Sequence, residues 1–426
     1  MNYLDYIVSS QKFGELIGIP SICSAHPYVL EAELNLNSNH RHIVLIEATC
    51  NQVNQFGGYT KMKPADFRNH IYEVADRLGF PKQNILLGGD HLGPLVWARE
   101  SAASAMAKAK EMVGLFVSNG FGKIHLDCSM PCADDHELSQ IEIANRTAEL
   151  ATVAEKAAAD LALDHDHLPR YVIGSEVPTP GGSEAGEHEL KVTKVESIAE
   201  TLALTQKAFI ARGLEAAWQR VIALVVQPGV EFGDEMVHVY NREKAGELTK
   251  YNETLHGMVY EAHSTDYQSR QSLRFLVEDH FAILKVGPAL TFAFREAAFA
   301  LAEIEEKIIE TAPSHLRAVL ESTMLENPAE WQKHYSGTNN QQKVALAFSF
   351  SDRIRYYWNY PAVKLAFERL MQNLSNLALP LSLVSQYFPR QYENIRNGTI
   401  QNDAKKILIS HISEVLDHYQ YACARN

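Results

Sequence analysis

The sequence predicts an α/β fold, a (β/α)8 TIM-type barrel with a C-terminal helical extension, and three observations carry that prediction. Short β-rich apolar runs recur eight times through the first three-quarters of the chain, each followed by a longer stretch of helical periodicity. The runs are apolar on both faces, as parallel strands covered by helices must be. Beyond residue 311 the runs stop and the sequence turns helical, with breaks at Pro313, Pro328, Pro361, Pro380 and Pro389. The expected organisation is a barrel over residues 1–310 and an extension over 311–426 packed on it, with no Gly/Ser linker between them.

Taken in order, the first run is Gly18 to Ser24 and the second His42 to Thr49, which carries Glu47 and leads into Asn51, Gln52 and Gln55 with Gly57 and Gly58. The third, Ile85 to Asp90, ends in Asp90-His91, and the fourth, Lys123 to Ser129, carries His125, Asp127 and Ser129. The fifth, Tyr171 to Val177, holds Glu176, and the sixth, Val221 to Gln227, runs into Gln227-Pro228-Gly229. Met258 to Ser264 brings Glu261 and His263, with Asp266 just beyond, and Ala282 to Gly287 brings Lys285. Helical periodicity fills Pro64 to Leu78, Ala102 to Asn119, Ile141 to Leu163, Glu196 to Arg212, Ser269 to Asp279 and Ala289 to Ile309.

In such a barrel the C-terminal strand ends converge on one mouth, where catalytic groups sit. Burial alone would place apolar residues there; this chain places carboxylates and imidazoles. Glu47, Asp90, Asp127, Glu176 and Asp266 are the acid/base candidates, while Asn51, Gln52, Gln55, Gln227, Lys285 and Gly287 are candidates for substrate and phosphate binding. Neutral imidazole and carboxylate suit Zn²⁺ or a similar divalent ion, for which His91 and His263 with Glu176 or Asp127 are the expected ligands. Gly287-Pro288 opens a helix whose free N–H groups would attract a phosphate, with Lys285 assisting. Gly181-Gly182 forms either a lid or a wide loop. His165 and His167 follow a helix at the opposite rim and read as a solvated loop, and Arg353 and Arg355 in FSFSDRIRYYW read as a packed interface stripe.

Composition narrows the function. The chain has 426 residues, 46% of them hydrophobic, and a formal net charge of −13, which disfavours nucleic acid as a partner. Five cysteines without CxxC spacing fit a reducing, cytoplasmic compartment, and no signal peptide or membrane-length apolar segment is visible. GxxxxGK[ST], strand-linked GxGxxG and GxSxG are absent from the sequence, which argues against P-loop kinases, simple dinucleotide enzymes and serine hydrolases.

The segments SAHPYVLEA (Ser24 to Ala32), IEATCNQVNQFGGYT (Ile46 to Thr60), LGGDHLGP (Leu87 to Pro94), KIHLDCSM (Lys123 to Met130), VVQPGVEF (Val225 to Phe232), YEAHSTDYQ (Tyr260 to Gln268), AILKVGPALTFAFREA (Ala282 to Ala297) and SDRIRYYW (Ser351 to Trp358) closely resemble the GatZ/KbaZ family. That family is the non-catalytic subunit of class II D-tagatose-1,6-bisphosphate aldolase. The resemblance spans essentially the whole chain. It implies a cytoplasmic accessory protein of tagatose 6-phosphate breakdown, from galactitol or N-acetylgalactosamine, that raises the activity and stability of a separate catalytic Y subunit in a chaperone-like manner. The tail would contact that partner or a second copy of the chain.

GGDHLG, GFGKIHLDCS, GSEVPTPGG and LKVGPALT further look like degenerate counterparts of class II aldolase segments, on which His91 corresponds to a zinc ligand and Asp90 to its acid/base neighbour. No third histidine ligand follows the paired glycines in this match. The surplus of chemistry at the rim raises an alternative, a metal-dependent 4-epimerase interconverting tagatose 6-phosphate and fructose 6-phosphate. An older label of the family, tagatose 6-phosphate kinase, finds no nucleotide-cradling loop here.

Overall fold

A computed structural model describes residues 2–37, 43–174 and 190–425. Eight parallel strands, β1 (Ile19–Ile22), β2 (Val44–Thr49), β3 (Ile85–Leu92), β4 (Lys123–Leu126), β5 (Arg170–Ile173), β6 (Val221–Val225), β7 (Val259–Ala262) and β8 (Phe281–Val286), close into a barrel in sequence order, β8 pairing with β1. The (β/α)8 expectation therefore holds. Several strands stop short of the apolar runs, because side chains at their ends capture the next N–H groups. Asp127 Oδ1 accepts from the Ser129 N–H at 3.1 Å, and Gln227 Oε1 accepts from Gly229 and Val230 at 2.8 and 3.0 Å.

Helix α1 (Tyr3–Lys12) precedes the barrel, and α2 (Pro27–Asn37), α3 (Pro64–Leu78), α4 (Ala102–Ser118), α5 (Gln140–Asp160), α6 (Val195–Ile210) with the short α7 (Glu215–Trp218), α8 (Arg242–Thr254), α9 (Arg270–Glu278) and α10 (Pro288–Ile308) follow successive strands. Ser101, Ser139, Asn241 and Ser269 cap α4, α5, α8 and α9 through side-chain oxygens, and Pro64 and Pro288 occupy first turns. Periodicity does not single out α2 or α8. Helix α2 is buried nearly all round, Glu31 and Glu33 included, and α8 buries only Ala245, Leu248 and Asn252.

The extension contains α11 (Leu316–Glu326), α12 (Asn339–Phe348), a 3₁₀ turn at Arg353–Tyr357, α13 (Pro361–Leu374), α14 (Leu381–Tyr387), α15 (Pro389–Arg396) and α16 (Ala404–Cys423). Helix α16 packs on β1, α2, α9 and α10, and so closes the helix layer between α9 and α2. The Gly18 N–H donates to the Cys423 carbonyl at 3.0 Å, and the Tyr419 hydroxyl donates to the Thr265 carbonyl at 2.8 Å. A Cβ at Gly18 would lie 2.6 Å from the Ala282 carbonyl oxygen and 3.2 Å from Cys423 Sγ, so only glycine admits this approach. One apolar core runs from the barrel helices into the extension.

At the opposite end, α1 plugs the barrel. Leu4, Ile7 and Val8 pack on the inward residues Ile19, Leu45, Val172, Val259 and Ile283. Arg170, fully buried, binds Asp5 of α1 through Nε at 3.0 Å and Nη2 at 2.5 Å, and donates to the carbonyls of His165 and Leu168. The exposed His165 and His167 thus lie at this closed end, and His167 Nδ1 contacts Asp164 at 2.6 Å. Among the described residues no helix is long and apolar enough to cross a membrane.

Candidate active site at the barrel mouth

One step above the apolar plug the interior becomes ionic. Strand alternation carries Leu45 to Glu47, Val259 to Glu261 and Ile283 to Lys285, while β4 contributes Lys123. Lys123 Nζ bridges Glu47 Oε1 and Glu261 Oε2, each at 2.7 Å. Lys285 Nζ lies 2.7 Å from Glu47 Oε2 and 3.0 Å from Asp90 Oδ1. Ser21 on β1 donates to Glu47 Oε1 at 2.7 Å. Gly88 makes this floor possible, because a Cβ there would stand 2.6 Å from Glu47 Cγ. Burial opposes every one of these charges, yet the acids around Lys285 hold its ammonium well above its ordinary pKa, and Lys123 and Lys285 hold Glu261 below the usual carboxylate range.

On this floor sit three imidazoles. His91 Nδ1 lies 2.7 Å from Asp127 Oδ2, His263 Nε2 lies 2.8 Å from Glu261 Oε1, and the remaining nitrogens, His91 Nε2 and His263 Nδ1, face each other at 3.1 Å. His125 approaches Asp90 Oδ1 through Nδ1 at 2.9 Å and the Gly174 carbonyl through Nε2 at 3.0 Å. Ligand atoms of Asp90, His91, His125 and His263 all lie within 4.8 Å of one another. His91 adopts φ +47°, and Ser264 and Asp352 beside the same cavity adopt +52° and +48°, left-handed conformations that cost energy in non-glycine residues. Burial would raise Asp90, but Lys285 and His91 pull it well below its ordinary pKa. Burial would raise Asp127 too, yet its bond to His91 takes it down to about 2, while burial takes His263 down to about 4.

Above the cluster opens a cavity of about 890 Å³. Asp90, His91, His263 and Lys285 form its base, and Asn51, Gln52, Asp266 and Gly287 line its sides. Glu47 and Asp127 support that base from below and behind. Gln55 and Gln227 are not among the lining residues. Gln55 Nε2 donates to the Lys108 carbonyl of α4 at 3.0 Å, and Gln227 is spent on its own turn. The helix N-terminus expected to receive phosphate is already filled, since Asp266 Oδ1 accepts the Gly287 and Ala289 N–H groups at 3.0 and 2.8 Å. Burial lifts the Asp266 carboxyl to about 6. Glu176, Gly181 and Gly182 lie outside the described residues.

Two contributions go beyond the site residues expected from the sequence. His125 belongs to the imidazole cluster, and its signal was the inward row Lys123, His125, Asp127. The extension also reaches the mouth, with Glu330, Arg353, Arg355, Tyr356, Trp358 and Asn359 on the cavity wall. The FSFSDRIRYYW segment is thus cavity lining as well as a packed stripe, which no local pattern announces.

The D-tagatose-1,6-bisphosphate aldolase subunit GatZ/KbaZ-like family matches residues 4–424. The GatZ subunits of D-tagatose-1,6-bisphosphate aldolase from Escherichia coli O1:K1 and from Escherichia coli O45:K1 are each 49% identical over 422 residues, covering 98% of this chain and 99% of each relative. A crystal structure of a probable tagatose 6 phosphate kinase from Sinorhizobium meliloti 1021 superposes with a TM-score of 0.88 at 46% identity, covering 95% of this chain and 100% of that one. With barrel, mouth and extension all inside these matches, the chain belongs to the GatZ/KbaZ-like family.

Proposed function

We propose that this chain is the Z-type subunit of a D-tagatose-1,6-bisphosphate aldolase and supports a separate catalytic Y subunit in the breakdown of tagatose 6-phosphate. The observation that carries this reading is that similarity to GatZ subunits runs through the barrel and the extension alike. An 890 Å³ mouth with a polar base and guanidinium groups on its wall suits a phosphorylated ketose. Free cysteines throughout the described chain support a reducing cytoplasm. Co-expression with the Y subunit is expected to raise its soluble yield and its aldolase rate, while the purified chain alone leaves tagatose 1,6-bisphosphate intact. Cleavage by the chain alone, or a Y subunit indifferent to it, overturns the reading.

A second reading, a divalent-metal-dependent 4-epimerase acting on tagatose 6-phosphate, is favoured by the imidazole cluster. His91 and His263 each direct one ring nitrogen at a buried carboxylate; with both rings neutral and N–H on that side, their two lone pairs face each other at 3.1 Å. In that state a cation between them would take up both lone pairs. His91, His263, His125 and Asp90 would hold a zinc-like ion, which supplies Lewis-acid polarisation of a sugar oxygen when bound. The chain's own groups then orient the sugar, with Asn51 and Gln52 at its side and Lys285 fixed beneath by Glu47 and Asp90. The Asp266 carboxyl, lifted to about 6, is suited to hold or release a proton near neutrality. Metal analysis should find a near-stoichiometric divalent ion that His91→Asn and His263→Asn lose. Unchanged NMR spectra of tagatose 6-phosphate after long incubation with the metal-loaded protein would discard the epimerase.

A further inference from the structure

We propose that Arg353 and Arg355 of the C-terminal extension form the phosphate-binding subsite of the mouth, so that the extension grips the phosphoryl group while the barrel holds the sugar. The inference rests on the reading of the mouth as a sugar-phosphate site and deepens it.

Arg353 is only 8% exposed, lines the cavity, and leaves its Nε buried without a hydrogen-bond partner. Its Nη1 donates to the Glu330 carbonyl at 2.8 Å, which aims the guanidinium without cancelling its charge. Arg355 is held the same way. Nη1 donates to the Ser351 and Asp352 carbonyls and Nη2 to the Tyr356 hydroxyl at 2.8 Å. Neither arginine forms a carboxylate ion pair among the described residues. Elsewhere buried arginines do: Arg146 binds Asp135, Arg170 binds Asp5 and Arg220 binds Glu155. Arg295, also without such a pair, stacks on Phe292 at 3.9 Å and is not among the cavity's lining residues. A buried guanidinium with an unmade hydrogen bond is costly, and an incoming phosphate monoester supplies both the acceptor and the charge.

The subsite is anchored to the barrel. Asp352, at φ +48°, accepts a hydrogen bond from Thr291 of α10 at 2.5 Å, which fixes the turn that presents both arginines. The acids acting on them are Asp352 and Asp266 on Arg355 and Asp234 on Arg353, none in an ion pair with either guanidinium among the described residues; burial lifts the Asp352 carboxyl to about 7, so it is only partly ionised near neutrality. The helix N-terminus after β8 is closed to an anion by Asp266, and Lys285 is spent on Glu47 and Asp90, which leaves these two forks and the exposed Arg99 as the guanidinium groups lining the cavity. A net charge of −13 disfavours a polyanion, which leaves a small dianion as the expected ligand.

Calorimetric titration of the full-length protein tests this with tagatose 6-phosphate, inorganic phosphate, unphosphorylated tagatose and a hexuronate. The phosphate ester should bind at least about tenfold more tightly than tagatose or the uronate, and inorganic phosphate should compete with it. Arg353→Gln and Arg355→Gln should each erase about tenfold of that preference and leave tagatose affinity unchanged. In the unmutated protein, the phosphate ester should shield Arg353 and Arg355 from phenylglyoxal, read by peptide mass mapping; this arm stands even if a variant fails to fold. Equal affinity for tagatose and its phosphate, variants that bind phosphate normally, or unshielded arginines overturn the proposal. None of these readouts involves the Y subunit, so failure here and failure of the subunit reading are separate results.

Discussion

The lower and upper halves of the barrel interior are built from the same strands, two residues apart, and their chemistry is opposite. Below, Ile19, Leu45, Val259 and Ile283 meet the apolar face of α1. Above, Ser21, Glu47, Glu261 and Lys285 form an ionic floor with Lys123. The lower layer stabilises by removing apolar surface from water. The upper layer gains little over an apolar isostere, because the desolvation of its charges offsets their attraction. What it supplies is position: the floor fixes Asp90 through Lys285 and His263 through Glu261, while Asp127 fixes His91.

Variants that invert either layer test this contrast. The largest effect should come from Lys123→Met, which leaves Glu47 and Glu261 to share Lys285 alone and should cost about 3–5 kcal/mol in denaturant unfolding. Adding Glu261→Gln should recover part of the loss, and no recovery would show that lysine packing matters more than its charge. In the lower layer, Ile283→Ala should cost about 2–4 kcal/mol through lost burial and a cavity, without altering ligand or metal binding at the mouth. Gly88→Ala should cost about 1–3 kcal/mol by displacing Glu47, and unlike Ile283→Ala should disturb the floor and ligand binding with it.

The smallest effect concerns an acid that has no ammonium partner among the described residues. Glu33 on α2 is 3% exposed, leaves Oε2 without a partner, and burial pushes its carboxyl up to about 7, whereas Glu261 beside Lys123 is held low. With a folded-state pKa above the unfolded one, the native state binds the extra proton, so stability is greatest at low pH and falls as pH rises towards about 7. Replacing Glu33 by Gln should remove that slope, and the variant should gain on the unmutated protein by on the order of 2 kcal/mol between about pH 5 and about pH 8. A pH-independent difference would show that Glu33 has a counter-charge.

The barrel was legible because each strand is apolar along most of its length and most covering helices, α2 and α8 excepted, repeat an apolar face. The base of the mouth was legible for a related reason. Glu47, Asp90, Asp127, Glu261, His263 and Lys285 interrupt apolar strands at their carboxyl ends, where a polar residue needs a reason to be buried. His91 came with them as the neighbour of Asp90, held at φ +47°. Residues in the following loops were harder to place. Asn51 and Gln52 reach the cavity, but Gln55 turns to α4 and Gln227 to its own backbone. Side-chain direction in a loop depends on contacts that periodicity does not encode. The Gly287 helix start carries the expected turn chemistry, yet Asp266, from the loop after the preceding strand, occupies it.

By itself, then, the sequence determined the number and order of strands, the acidic and imidazole character of their ends, and the family, because these depend on local pattern and contiguous motifs. Only the tertiary structure decided which of those groups share a floor, that His125 joins His91 and His263, and that the extension sends Arg353 and Arg355 back over the mouth. It also placed α16 against β1, almost the whole length of the chain away. Such contacts join residues far apart in sequence through burial and charge pairing, and no local window of the chain contains both partners.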